Sequence, residues 1–147
     1  MGTQETLQEL QELYEDKLVT YPRTDSQYIT EDMEQSTMEL LEVLPEILPF
    51  LEGNMGYDVG RIINNDKVSD HHALLPTKES VKKGFSQLTE KQRNLYCMIG
   101  QRLAQAVSKE CTYEETQITV QCAGHEFMAK GKCMTEPGFW KIATGFR

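Results

Sequence analysis

Tyr21 and Arg23 lie in the run Thr20-Tyr21-Pro22-Arg23-Thr24-Asp25-Ser26, which sets a phenol two residues from a guanidinium. Proline disfavours helical geometry in the residue before it, so Tyr21 is expected to be extended and offered from a loop edge. Side chains of an extended segment alternate, which places Arg23 on the side of Tyr21. A tyrosine hydroxyl titrates near about 10 in water, so as a nucleophile it needs a neighbouring cation or compensating charge on its substrate. A guanidinium is a rigid fork that can hold two phosphate oxygens and stabilise charge developing on them. The chemistry these two residues can do together is displacement at phosphorus. As residue types alone they also read as a core-edge tyrosine beside a solvated arginine, because Tyr-x-Arg is common in loops.

Leu10-Gln11-Glu12-Leu13-Tyr14-Glu15-Asp16-Lys17-Leu18-Val19, running into the seven residues above and on to Tyr28-Ile29, resembles the active-site region of type IA DNA topoisomerases. Asp70-His71-His72-Ala73-Leu74-Leu75-Pro76-Thr77 is similar to the histidine-containing segment of that family, with the topoisomerase III branch the better match. A weaker block, Phe127-Met128-Ala129-Lys130-Gly131 followed by Glu136-Pro137-Gly138-Phe139-Trp140, resembles the strands that lead toward the family's arch-forming domain. The resemblance implies that Tyr21 attacks a single-strand DNA phosphodiester, leaving a 5′-phosphotyrosyl link and a free 3′ hydroxyl while another strand passes. It implies an active-site tyrosine domain over residues 1–111, with helix-turn-helix character, and a β segment over 112–147. His71 then contacts phosphate; DNA contact is also expected near Arg23, Thr24, Asp25, Lys78, Lys82 and Lys83, the lysines because positive charge concentrates after residue 60. The expected partners are single-stranded DNA and the remaining topoisomerase domains, Toprim and arch. Magnesium in such enzymes is bound by the acidic Toprim module, and no Asp-x-Asp-x-Asp run follows a hydrophobic strand here. The chain alone is therefore expected to be a catalytically silent fragment with no metal of its own.

A chain of 147 residues that is 39% hydrophobic and 26% charged can bury one core of ordinary size. No apolar run approaches the roughly 18 residues of a bilayer span and no signal peptide opens the sequence, so a cytoplasmic location with no membrane partner is expected. Cys97, Cys111, Cys122 and Cys133 form no Cys-x-x-Cys pair and read as small apolar residues rather than zinc ligands or disulfides. The net charge of −8 opposes DNA binding, but it is unevenly spread. Residues 1–60 hold fourteen acids against Lys17 and Arg23, whereas residues 61–147 hold thirteen lysines and arginines against nine acids. The acids between Glu31 and Glu52 read as a solvated helix face.

Apolar spacing through Leu7, Leu10, Leu13, Tyr14 and Leu18 predicts a helix over 4–17 that ends at the tyrosine motif. Thr30 is placed to cap a second helix whose apolar side is Met33, Leu40, Leu41 and Leu44, broken by Pro45 and Pro49. Residues 50–70 read as loops. Thr89 and Gln92 form a capping box for a helix from 90 to about 108, with Leu95, Met98, Ile99, Leu103 and Val107 as its stripe. Alternation through Ile118, Val120 and Cys122 then predicts a strand, paired across Ala123-Gly124 with the strand holding Phe127 and Ala129. The fold class is mainly α, a helix-turn-helix-like tyrosine domain with a short C-terminal antiparallel β hairpin. The alternative from another class is a noncatalytic helix-turn-helix module binding DNA or protein, in which Tyr21 is structural. A tyrosine recombinase fragment is disfavoured because the scattered Arg and His set it needs is not found.

Overall fold

The computed structural model describes residues 2–51, 56–108 and 112–136, the last span mainly by its backbone. Helix α1 covers Thr3–Glu15, with Leu13 fully buried and Leu7 and Tyr14 each 38% exposed. It ends two residues short of the predicted boundary because Lys17 turns left-handed, at φ 62. The amide of Leu18 then reaches back to the Leu13 carbonyl at 2.9 Å and that of Lys17 to Tyr14 at 2.9 Å. These are the two bonds that satisfy the last carbonyls of a helix closed by a left-handed residue, here without a glycine. Leu13 and Leu18, the residues that such a stop brings together, are both buried in the core. The chain leaves α1 abruptly and runs extended into the tyrosine motif.

A 3₁₀ turn at Glu31–Met33 leads into α2, Glu34–Val43, which buries Thr37, Leu40 and Leu41. Thr30 makes no capping bond with its side chain. The Oδ1 of Asn65 does that work instead, accepting from the Glu31 amide at 2.9 Å. A local capping expectation is overridden by a turn brought alongside through tertiary packing. The prolines fall in 3₁₀ turns at Leu44–Glu46 and Pro49–Leu51, and Leu44 and Leu51 of these turns, with Leu48 between them, are among the most deeply buried side chains. Of the region read as loop, Gly53 and Asn54 lie outside the described residues. Within the rest, two 3₁₀ turns at Val59–Ile62 and Asn65–Lys67 are opened by Asp58 and Asn64, whose carboxylate and amide oxygens accept from amides two residues on.

Helix α3, Lys78–Lys83, has no counterpart in the sequence reading. Thr77 starts it by accepting from the Ser80 amide, and Gly84 at φ 66 ends it. Helix α4, Glu90–Val107, opens on the Thr89 and Gln92 capping box as the sequence predicts. Its buried face is Tyr96, Gly100, Leu103, Ala104 and Val107, while Met98 is 52% exposed. The stripe is thus centred one position away from the expected one, because Gly100 admits a neighbour that a larger residue would exclude. A Cβ at Gly100 would lie 2.4 Å from Leu48 Cδ1.

The chain is mainly helical, and the core joins Leu13, Leu18, Val19 and Ile29 to side chains of α2, the 3₁₀ turns and α4. Beyond the helices, β1 (Thr112–Cys122) and β2 (His125–Glu136) run antiparallel with Ile118 opposite Ala129 and Val120 opposite Phe127. The domain boundary expected at 111 and the block Pro137 to Trp140 lie outside the described residues, as does Cys111.

Candidate active site

Two segments far apart in sequence are laced together to carry the tyrosine. The amide of Thr20 donates to the Leu75 carbonyl at 2.9 Å, and the Leu75 amide donates to Thr20 Oγ1 at 2.9 Å. Val19 and Pro76 form an antiparallel bridge, and the Thr77 amide donates to the Leu18 carbonyl at 3.1 Å. Thr77 Oγ1 donates to the carbonyl of Lys17 at 2.6 Å, tying the start of α3 to the left-handed residue that ends α1. Further along, Ile29 pairs with Ile63, and the Ala73 amide donates to the Tyr28 carbonyl at 2.9 Å. The extended geometry that Pro22 favours is therefore held from both sides.

Alternation decides which side chains serve this lacing and which are left for chemistry. Thr20, Thr24, Ser26 and Tyr28 are half-buried, whereas Arg23, Asp25 and Gln27 are exposed. Thr24 Oγ1 donates to the His71 carbonyl at 3.2 Å and accepts from the Ser26 amide at 3.2 Å. Ser26 Oγ donates to the Lys67 carbonyl at 2.8 Å. Tyr28 lies under Lys67, whose Nζ is 5.2 Å from the ring centre. Thr24 and Ser26 are thus bonded to the chain itself, and Thr24 acts by fixing the backbone at His71.

Tyr21 makes contact with two rings. His71 stacks on it at 4.2 Å between centroids and 28° between planes, and Tyr14 meets it edge-on at 5.4 Å and 83°. The tandem histidines separate cleanly. The Nδ1 of His72 donates to the Ala73 carbonyl at 2.7 Å and is spent on the backbone, while His71 stays exposed at the tyrosine. Beside this stack an open cleft of about 480 Å³ is lined by Arg23, Thr24, Asp25, Ser69, Asp70 and His71. Among the described residues Arg23 has no ion-pair or hydrogen-bond partner, so its fork is available to an anion. Ser69 and Asp70 were not singled out from sequence as lining residues, although Asp70 opens the histidine block.

The three lysines assigned to DNA from the sequence lie on α3, apart from the cleft lining. Lys78 pairs with Glu39, and that contact holds the Glu39 carboxyl below the usual carboxylate range, helped by Gln35. Lys83 Nζ donates to the Asp16 carbonyl at 2.7 Å, at the end of α1, where a cation complements the helix dipole. Lys82 is exposed. No group of three or more His, Cys, Asp or Glu side chains that could hold a metal occurs among the described residues, and the cleft carboxylates Asp25 and Asp70 share their space with Arg23. This donor set does not fit a magnesium ion.

The family model for DNA topoisomerase matches residues 1–145. The chain belongs to the type IA DNA topoisomerase family. It is 38% identical to DNA topoisomerase 3 of Staphylococcus aureus strain NCTC 8325 over 152 aligned residues, covering 99% of this chain and 21% of that protein. It is likewise 38% identical to DNA topoisomerase 3 of Bacillus subtilis strain 168, covering 95% of this chain and 20% of the relative. The chain thus spans about a fifth of the topoisomerases it matches. No described helix is long and apolar enough to cross a membrane.

Proposed function

We propose that this chain is the tyrosine-bearing part of a type IA DNA topoisomerase and that Tyr21 is its nucleophile. The phenolic oxygen of Tyr21 attacks a single-strand phosphodiester, the new O–P bond forms as the bond to the 3′ oxygen breaks, and the 3′ hydroxyl leaves with a proton. The 5′-phosphotyrosyl link holds the strand until the reverse step reseals it. Arg23 binds the non-bridging oxygens and stabilises their charge, His71 donates a ring N–H to phosphate, and Thr24 and Asp25 shape the cleft. Lys78, Lys82 and Lys83 guide the flanking strand electrostatically once it displaces the present contacts of Lys78 and Lys83. The observation that carries this reading is the stack of Tyr21 on His71 beside a cleft with an unpaired Arg23.

In the same reading residues 1–111 form the tyrosine domain, with helix-turn-helix character, and the β segment of 112–147 leads toward the arch. Toprim-type carboxylates elsewhere in the cytoplasmic full-length enzyme hold Mg²⁺, which when bound neutralises phosphate charge. The test is to incubate the full-length enzyme carrying these residues, and its Tyr21→Phe variant, with labelled single-stranded DNA and magnesium. The parent forms a denaturation-resistant adduct, whereas the variant forms none while keeping its melting temperature and noncovalent binding. An adduct from Tyr21→Phe would refute the assignment. The 147-residue chain alone is expected to form no adduct.

A further inference from the structure

We propose that Tyr14 is a positioning residue for Tyr21, fixing the tilt of the nucleophilic ring from the last turn of α1. The inference rests on the reading of Tyr21 as nucleophile. A tyrosine hydroxyl sits at the end of a lever with two rotatable bonds, so the direction of attack depends on what restrains the ring. His71 covers one face of Tyr21 at 4.2 Å, and that contact alone leaves the ring able to swing away from the stack. Tyr14 adds a second ring contact, at 5.4 Å between centroids and 83° between planes, and the two contacts together restrict the swing of the Tyr21 ring.

Both supports are themselves anchored. His71 is held through its carbonyl by Thr24. Tyr14 follows Leu13, the fully buried residue of α1, and its own carbonyl accepts from Lys17 in the helix stop. At 38% exposure the Tyr14 ring is not a core side chain, and the aromatic contact found for it is with Tyr21. The abrupt end of α1 is what brings the ring of residue 14 beside that of residue 21. Residues that hold a reacting group in near-attack geometry act on the rate of the chemical step more than on binding.

Two experiments test this. In the full-length enzyme, single-turnover cleavage at saturating single-stranded DNA is measured for Tyr14→Ala, Tyr14→Leu and Tyr14→Phe, together with noncovalent affinity. Loss of one aromatic pair should lower the maximal cleavage rate roughly two- to tenfold in the Ala and Leu variants with affinity unchanged, and Phe should restore it. A parent rate in both ring-less variants, or a loss that follows weaker binding instead, overturns the proposal. In the 147-residue chain, NMR of ring-labelled tyrosine reads the contact without any activity. The Tyr21 ring signals should move in Tyr14→Ala and Tyr14→Leu and stay in Tyr14→Phe. Unmoved Tyr21 signals overturn the proposal, whereas an adduct from Tyr21→Phe would refute the nucleophile and leave the NMR result standing.

Discussion

Thr20 and Leu75 exchange two hydrogen bonds, one from the Thr20 amide to the Leu75 carbonyl and one from the Leu75 amide to the Thr20 hydroxyl, both 2.9 Å. In the second a side chain replaces the backbone partner that a regular strand pair would supply. Thr20→Val keeps the shape and removes the acceptor, leaving the amide of buried Leu75 without a partner. An orphaned buried donor costs about 1–3 kcal/mol, so urea unfolding should show a loss of that size. The same variant in the full-length enzyme should slow cleavage, since the bond lies one residue from Tyr21. An unchanged unfolding midpoint would show that water or a backbone shift satisfies Leu75.

Arg23 is expected to act through its geometry as well as its charge. Arg23→Lys preserves the cation but replaces a planar fork with a point charge that cannot hold two phosphate oxygens at once. Cleavage by the full-length enzyme should fall by a factor on the order of 10², the scale seen when one preorganised donor is removed. Binding of single-stranded DNA at low salt should change little, because the charge is kept. A lysine variant cleaving at the parent rate would reduce Arg23 to a surface charge.

The parts of the site legible in the sequence were those fixed by local rules. Pro22 sets the extended path of Tyr21, period-two alternation exposes Arg23 and Asp25, and the Thr89 and Gln92 box starts α4 where expected. What was not legible depends on contacts between distant segments. Asn65 caps the turn that Thr30 was placed to cap, and Lys78 is paired with Glu39 rather than left open. Helix α3 is only six residues long and lacks an apolar period, so its sole signals were Thr77 before it and Gly84 after it. Tyr14 belonged to a predicted amphipathic helix, and only the left-handed stop at Lys17 reveals that its ring meets Tyr21.

Glu39 restrains a lysine that the functional reading gives to DNA. The Lys78 contact lies on an exposed surface, where such pairs add little to stability. Glu39→Gln removes one negative charge and releases Lys78 to the strand. Single-stranded DNA should then bind the full-length enzyme more tightly at low salt, and the gain should shrink as salt rises, with a slope steeper by up to about one counterion. Melting temperature should be nearly unchanged. Affinity that stays the same at every salt concentration would place Lys78 away from the path of the strand.

Tyr96 gives the fold a dependence on alkaline pH. Its hydroxyl is fully buried in α4, donating to Ser80 Oγ at 2.5 Å, while Ser80 donates to the carbonyl of Thr77. Phe85 packs edge-on against the Tyr96 ring at 5.4 Å. Burial pushes the phenol up to about 12. The unfolded chain loses this proton near about 10, so between that pH and about 12 the folded state holds the proton more tightly. The stabilisation is therefore complete below about 10 and disappears as pH rises through about 12, at a slope of up to about 1.4 kcal/mol per pH unit. Tyr96→Phe deletes the titrating group and should flatten this part of the stability profile, while costing about 0.5–1.5 kcal/mol at neutral pH for the lost hydrogen bond. Urea unfolding of both proteins from pH 7 upward separates the two effects, because other tyrosines and lysines titrate in each and cancel in the difference. Parallel profiles would mean that the Tyr96 phenol titrates alike in the folded and unfolded chain.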